Sequence, residues 1–376
     1  MIFKEIHIPQ SPGVFDIEIK GSKIIGVTRS DPSVKGVQFD KKVMVFPGLI
    51  NMHDHLAMNF FTPFRSKRYR NYIEWSADLH EHNTERIQHS KKLSDTEKML
   101  VGELKNLLCG FTSVCDHESE KGETKVLQSF TAYNYLHSTQ RDHHWQIKLN
   151  TTINKLPWIV HVGEGSGDGV ENEVDQLMKW NLLRRKIIAV HGISMTENQS
   201  RRVAGLIWCP GSNFYLYGKT ADTDLLKKLG KKVFFGSDAS LTGDPNIWNH
   251  IRLAMDLIGS KKAVYEMLTT NPASYFTSLQ RSATIQTGSE ADLAFAFMKE
   301  GNFLDSFYCI NPADIMIVVK GGIVIKASHE TTVVKDHLTP VKALGISSLI
   351  DKKIGNPWNL IADYPYIDKE LNLTMS

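Results

Sequence analysis

Four polar residues share one setting, each closing a short apolar run and opening a loop that leads toward a helical pattern. They are His53 after Val43 to Met52, His161 after Trp158 to Val160, His191 after Ile187 to Val190, and Asp238 after Val233 to Ser237. His55 adds a second imidazole two residues beyond His53. The period of two in an extended chain turns both rings to one side while Asp54 points away. Three neutral imidazoles with the Asp238 carboxylate form a nitrogen-rich set suited to one divalent cation, Zn2+ or Fe2+, with room for water. Such a cation lowers the pKa of its water toward about 7, which supplies a nucleophile at neutral pH. Glu164, three residues beyond His161, is placed to move protons at the reacting group; its plainer role would be an acidic residue at the start of the next helix. Asp238 can also take the proton of the attacking water.

An HxH pair by itself carries little weight. Fifteen histidines among 376 residues give about 0.6 such pairs by chance. A second pair, His80 and His82, lies in a charged stretch and reads as solvated surface. The first pair differs because it follows a run that looks buried, and because the other candidates sit at equivalent strand ends.

From about Val43 to Phe276, apolar runs alternate with amphipathic helical patterns, the grammar of parallel βα units. Ser94 to Glu97 is a capping box, Met99, Leu100, Leu104, Leu107 and Leu108 form a helical stripe, and Gly110 ends it before the strand Phe111 to Val114. Further units follow: Glu173 to Arg185 before Ile187 to Val190, a helix capped by Thr196 before Leu206 to Trp208, and Thr223 to Leu229 before Val233 to Phe235. The length suits a (β/α)8 barrel of ~250 residues, with a doubly wound open sheet as the competing layout. In a barrel all four polar strand ends converge at the C-terminal mouth. Between Glu118 and Pro157 the pattern is poorly readable, and Gln146 to Ile153 is the candidate strand there.

Both ends of the chain read differently. Ile2 to Ile8, Phe15 to Ile19 and Lys23 to Val27, the last two around a Lys20-Gly21-Ser22 turn, predict a β-module. The same pattern returns in Asp292 to Phe297, Ile315 to Val319 and Ile323 to Ile325. Sheets this short are marginal alone, so the two flanks are expected to join in one accessory β-sandwich. The expected divisions are residues 1–45 and 286–376 for the sandwich, with the tail in the latter, and 46–285 for the barrel.

Composition bounds the function class. Hydrophobic residues are 41% and charged residues 23% of the chain, as in globular proteins. The apolar runs are about half a membrane span, so no membrane partner is expected. The N-terminus has charges among its apolar residues and lacks the pattern of a signal or transit peptide. Four scattered cysteines, Cys109, Cys115, Cys209 and Cys309, suit a reducing cytoplasm and exclude a cysteine zinc knuckle. The net charge of +3, spread without long runs, gives no reason to expect nucleic acid. A small molecule is the expected partner.

Phe46-Pro-Gly-Leu-Ile-Asn-Met-His-Asp-His55, His161-Val-Gly-Glu-Gly165, Ala189-Val-His-Gly192, Trp208-Cys-Pro-Gly-Ser-Asn213 and Phe235-Gly-Ser-Asp-Ala-Ser240 resemble the ordered motifs of the metal-dependent amidohydrolase superfamily. The similarity is closest to its branch of cytosine and guanine deaminases and triazine or chloro-hydrolases, and Gly288 to Leu293 resembles that family's return to the accessory sheet. The resemblance implies a distorted (β/α)8 barrel with a small composite β-sandwich. It also implies a homodimer and one divalent metal, Zn2+ before Fe2+, on His53, His55, His161 and Asp238. His191 would then polarise water or substrate and Glu164 would shuttle protons. The implied reaction is deamination of a small nucleobase-like heterocycle or amidine by metal-activated hydroxide. Hydrolysis of an amide or a carbon–halogen bond on the same site, or a catalytically silent binding relative, are the alternatives.

Ala239 departs from the family pattern, since many relatives carry a hydroxyl residue there. Two-metal members use a carboxylated lysine, for which Lys148 on the weak strand is the one candidate; one metal is the preferred reading. The HxE and PCxxC signature of zinc cytidine-type deaminases is absent from the chain. Among substrate contacts, His117 ends the strand Phe111 to Val114, and Arg65 belongs to a basic loop, Arg65 to Arg70, that could overhang the mouth or be a solvated face. Gly163 to Gly169 is glycine-rich but fits no phosphate-binding spacing. Trp358, Tyr364 and Tyr366 in the tail suggest packing on the body or on a partner.

Overall fold

The structure is a computed structural model. It describes residues 1–9, 11–117, 124–279, 282–329, 331, 333, 336–343 and 346–354. The aromatic residues of the tail lie outside these.

Eight parallel strands build the barrel layer, in two hydrogen-bonded arcs. Leu49–Asp54, Phe111–Asp116 and Gln128–Ser129 form the first; Asn134–Leu136, Trp158–Val162, Ile187–His191, Gly205–Trp208 and Lys232–Phe235 form the second. The arcs meet where the Asp238 N–H donates to the His53 carbonyl at 3.0 Å. Gly236 permits this approach, because a Cβ there would stand 2.7 Å from the Cβ of His53. The result is a distorted (β/α)8 barrel rather than a doubly wound open sheet. Its distortion is local: among the described residues no helix separates the second, third and fourth strands, and the third and fourth have only two and three residues. Strands so short leave no readable alternation, which is why this stretch was opaque in the sequence.

Two strands expected from the sequence need correction. Gln146 to Ile153 is not a strand; Trp145–Thr151 is a helix, burying Trp145 and Leu149 four residues apart on one face. Lys148 therefore sits on a helix, its ammonium 5.4 Å from the Tyr135 ring centroid. Val43 to Met52 is likewise not one strand. The chain breaks at Gly48, where a Cβ would meet the Thr112 side chain at 2.2 Å, and it divides into Val43–Pro47 and Leu49–Asp54.

Val43–Pro47 belongs to a nine-stranded sheet that joins both ends of the chain. Its order runs Leu338–Ala343, Ile346–Asp351, Ile323–Ala327, Ile315–Lys320, Leu293–Phe297, Val43–Pro47, Ile2–Ile8, Ser11–Lys20, Lys23–Arg29. The sheet curls so that Lys23 forms a bridge with Glu290. Alternate residues of its central strands serve two cores: Val43, Val45, Leu293 and Phe295 pack inside the curled sheet, whereas Met44, Phe46, Ala294 and Ala296 pack against the barrel helices. Burial on both faces explains why Val43–Pro47 reads as a continuous apolar run.

The helices start where the sequence places them. Ser94 and Glu97 form a reciprocal capping box on Asp95–Leu108, and Thr196 and Gln199 form one on Glu197–Arg202. The barrel interior is filled by Ile50, Met52, Ile159, Ile188, Val190, Ile207 and Phe234, below a polar mouth.

Candidate metal centre and its cavity

The side chains at the mouth converge. His53 Nε2 lies 3.3 Å from His161 Nε2, and the ring centroids of His53 and His55 are 4.9 Å apart. Asp238 Oδ1 stands 3.8 Å from His53 Nε2 and 3.9 Å from His55 Nε2. His191 Nε2 is 3.7 Å from Glu164 Oε2. His53, His55 and His161 offer nitrogens all within 4.8 Å of one another, the spacing of a ligand set around one ion.

Strand periodicity alone does not aim these groups. Val190 points into the barrel interior, so His191 in a regular strand would face the helices. Instead His191 has φ 66° and Asp238 has φ 59°, the left-handed region that non-glycine residues adopt at a cost. Each turn swings its side chain into the mouth. The pairing register between Leu49–Asp54 and Phe111–Asp116 also shifts between Asn51 and Asp54, where His53 is presented.

A network of neighbours holds the ring. His161 Nδ1 donates to the His137 carbonyl at 3.0 Å, which leaves Nε2 as a lone pair facing His53. His191 Nδ1 lies 2.8 Å from Asn213 Oδ1, and the Asn213 amide is oriented by Thr220 Oγ1 at 3.0 Å. Asp238 accepts from Ser212 Oγ at 2.6 Å and from the Ala239 N–H at 2.8 Å. Beneath them the buried Asp54 carboxylate pairs with Lys105 Nζ at 3.0 Å and accepts from the amides of Asn51, Asn59 and Asn106. Lys105 in turn donates to the Asp238 carbonyl at 2.8 Å, so one buried ion pair ties the first strand to the turn after the eighth.

Burial, and then the neighbouring imidazoles, push His53, His117 and His161 well below the ordinary histidine pKa, which keeps them neutral as ligands must be. Burial raises the Asp238 carboxyl, but His191, His53 and His55 outweigh it and hold it ionised below the usual range. Burial lifts Glu164 above its ordinary value despite His191 and the Tyr217 hydroxyl, which donates to Glu164 Oε1 at 2.7 Å. Neutral apposed nitrogens beside an ionised carboxylate form a donor set that fits a divalent cation.

Glu164 is positioned by the glycine-rich loop after its strand. At Gly165, with φ 106°, a Cβ would stand 2.2 Å from the Arg70 carbonyl, and Asn71 Nδ2 holds the loop through Ser166 and Asp168. A pocket opens above the cluster; besides the cluster residues it is lined by Met58, Tyr72, Trp75, His137, Arg141 and Thr242.

Of the two substrate contacts read from sequence, His117 is buried against His53 and His161, with ring centroids at 4.7 and 4.4 Å. It lines a second cavity instead of the one above the cluster. Arg65 donates to the Tyr215 carbonyl at 2.6 Å and stacks on that ring; the cation lining the first cavity is Arg141. His80 and His82 are exposed on the helix Tyr72–His82. Sequence reasoning missed His137, Tyr217 and Lys105. Asn134 to His137 repeats in three residues the strand-then-histidine pattern and could have been found, whereas the other two lie on helices with no local signal.

A parallel α/β barrel with histidines and carboxylates gathered at its C-terminal mouth defines a metallohydrolase-type architecture. Residues 130–324 match the amidohydrolase family. The chain belongs to that family, and it is an enzyme of the hydrolase class acting on carbon–nitrogen bonds. No curated protein matches it in sequence.

Among solved structures, it is similar to an adenosine deaminase from Xanthomonas campestris with bound zinc, at 15% identity and a TM-score of 0.64, covering 86% of this chain and 93% of that one. An atrazine chlorohydrolase from Arthrobacter aurescens complexed with zinc matches at 15% identity and a TM-score of 0.66, covering 86% and 94%. An N-isopropylammelide isopropylaminohydrolase from Burkholderia multivorans matches at 13% identity and 0.59, covering 86% and 97%. At these identities the likeness is one of fold. Among the described residues no helix is long and apolar enough to cross a membrane.

Proposed function

We propose that this enzyme deaminates a small nucleobase-like heterocycle or amidine, using one divalent metal, with zinc the preferred ion. His53, His55, His161 and Asp238 would hold it. The catalytic barrel would lie within 46–285 and the accessory sheet in 1–45 and 286–376, the latter including the tail, with the sheet strand Val43–Pro47 carrying the first boundary past Pro47. The observation that carries the reading is Glu164: a buried carboxyl of raised pKa, 3.7 Å from His191, at the edge of the histidine cluster and facing an aromatic-walled cavity. The names of the similar structures, an adenosine deaminase, an atrazine chlorohydrolase and an isopropylaminohydrolase, support the substrate class.

The metal, when bound, supplies Lewis acidity and a nucleophilic water at neutral pH. Trp75, Tyr72 and Met58 exclude solvent around a flat ring, and Thr242 and Arg141 offer it polar contacts. Asp238 takes the proton of the attacking water while its carboxylate is held by Ser212. Glu164, whose protonated form burial favours, gives its proton to the ring nitrogen next to the attacked carbon. His191 is oriented through Nδ1 by Asn213 and would polarise the water or substrate through Nε2, 3.7 Å from Glu164 Oε2. The proton on Asp238 then passes to the amino group, which leaves as ammonia, and Glu164 takes up the remaining proton of the attacking oxygen as the carbonyl forms, while the ring nitrogen keeps the one it received.

The test is ammonia release from aminopurines, aminopyrimidines and aminotriazines by the native enzyme and by Glu164→Gln. The variant should keep its zinc, measured by elemental analysis, and lose turnover by about 100-fold or more. Near-native turnover would remove Glu164 from the chemistry. Release of halide or alkylamine without ammonia would favour the other hydrolytic reading.

A further inference from the structure

Exposed apolar side chains are concentrated on one face of this protein. Ile153 is 96% exposed, Leu182 70%, Ile147 60%, Leu183 53% and Trp180 45%, and the first four are the most exposed large hydrophobics among the described residues. They lie on two segments stitched together. Asn150 Nδ2 donates to the Trp180 carbonyl at 2.7 Å, and its Oδ1 accepts the Leu182 N–H at 3.2 Å. Arg185 donates to the carbonyls of Thr152 and Asn154, on either side of Ile153. Single exposed hydrophobics are ordinary, but a contiguous set marks an interaction surface.

The two segments carry charge of one sign; Asp142 and Asp175 lie just before them, Asp175 paired with Arg202. Residues 143–157 and 176–186 contain no Asp or Glu, and they carry Lys148, Lys155, Lys179, Arg184, Arg185 and Lys186. Lys155, Lys179, Arg184 and Lys186 are exposed and form no ion pair among the described residues. Two like-charged copies of such a surface would repel, and aliphatic side chains are poor stacking partners for bases. Protruding aliphatic residues ringed by lysine and arginine instead match a negatively charged lipid interface, where the hydrocarbon enters the headgroup layer and the cations meet the phosphates.

Position makes such docking compatible with access to the metal centre. The patch precedes the strands Trp158–Val162 and Ile187–His191, at their N-terminal ends. His161 and His191 lie at the opposite ends of those strands. A membrane on this face would leave the mouth open to water. The length of the apolar runs excludes a spanning segment, but it does not bear on attachment to a surface.

We propose that this enzyme docks peripherally on anionic membranes through Ile147, Ile153, Trp180, Leu182 and Leu183 with the surrounding basic residues. The full chain should co-sediment with vesicles of 70% phosphatidylcholine and 30% phosphatidylglycerol, but not with phosphatidylcholine alone, and 0.5 M salt should release it. The triple variant Ile153→Ser, Leu182→Ser, Leu183→Ser should lower the bound fraction about tenfold or more, as should the pair Lys155→Glu and Arg184→Glu. Both should retain the native melting temperature, because the altered side chains are exposed. Binding that is absent on anionic vesicles, or unchanged in both variants, would overturn the proposal. So would a native oligomer or protein complex that the serine variant dissociates in the absence of any vesicle binding, since the face would then be a protein interface. None of these measurements depends on the substrate.

Discussion

Asp54→Asn isolates the buried pair beneath the candidate metal centre. The carboxylate is 0% exposed, and its two oxygens receive Lys105 Nζ together with amide donors from Asn51, Asn59 and Asn106. An asparagine at this position keeps the shape but removes the charge. It also turns an NH2 toward donors on one side, so at least one buried donor loses its acceptor. Lys105 would remain buried with no carboxylate beside it. Breaking a buried pair in this way costs about 3–5 kcal/mol, a large share of the ~5–15 kcal/mol available to a domain. Because Lys105 also holds the Asp238 carbonyl, the variant should lose zinc affinity by roughly 10- to 100-fold. Urea unfolding followed by tryptophan fluorescence measures the first quantity, and competition with a chromogenic chelator measures the second. Combining Asp54→Asn with Lys105→Met should recover part of the stability by removing the stranded charge. A loss below ~1 kcal/mol with unchanged zinc affinity would refute the claim that this pair supports the site.

Other consequences can be measured separately. Tyr217→Phe removes the hydroxyl that favours ionised Glu164, so the Glu164 pKa should rise further and the corresponding limb of the pH–rate profile should move to higher pH; an unmoved limb would detach Tyr217 from Glu164. Glu173, buried beside Tyr72 and the Gly163 N–H, is pushed up to about 8 by burial. The folded state therefore holds a proton that the unfolded chain releases above about 4.5. Stability should accordingly fall as pH rises through that window, by up to ~1.4 kcal/mol per pH unit. Glu173→Gln should flatten the slope, and an identical slope in denaturant titrations at pH 5 and 8 would exclude this assignment. Removing metal with a chelator should lower the melting temperature, and zinc should restore it, because a ligand bound only to the folded state adds to stability; a melting temperature indifferent to chelator would count against the metal centre.

Much of the candidate site was legible because its residues follow one local rule. His53, His161, His191 and Asp238 each end an apolar strand, and a parallel barrel gathers strand ends at one mouth. The capping boxes at Ser94 and Thr196 were equally readable, since a helix start is set by four consecutive residues. The third and fourth strands were not, because two or three residues contain no period to detect. The same limit turned the helix Trp145–Thr151 into an apparent strand. Arg65 was chosen over Arg141 because a basic cluster stands out in a sequence, whereas a single arginine whose guanidinium lies 5.6 Å from the Tyr72 ring centroid does not.

Residue order by itself determined which chemistry was available: imidazoles and carboxylates at strand ends, with the carboxyl of Glu164 three residues beyond a ligand candidate. Only the tertiary structure decided their aim and their protonation. The left-handed turns at His191 and Asp238, the Lys105–Asp54 pair beneath them and the burial that lifts Glu164 all arise between segments up to about two hundred residues apart in the chain. Desolvation and contact distance are properties of the packed molecule, and no local pattern encodes them.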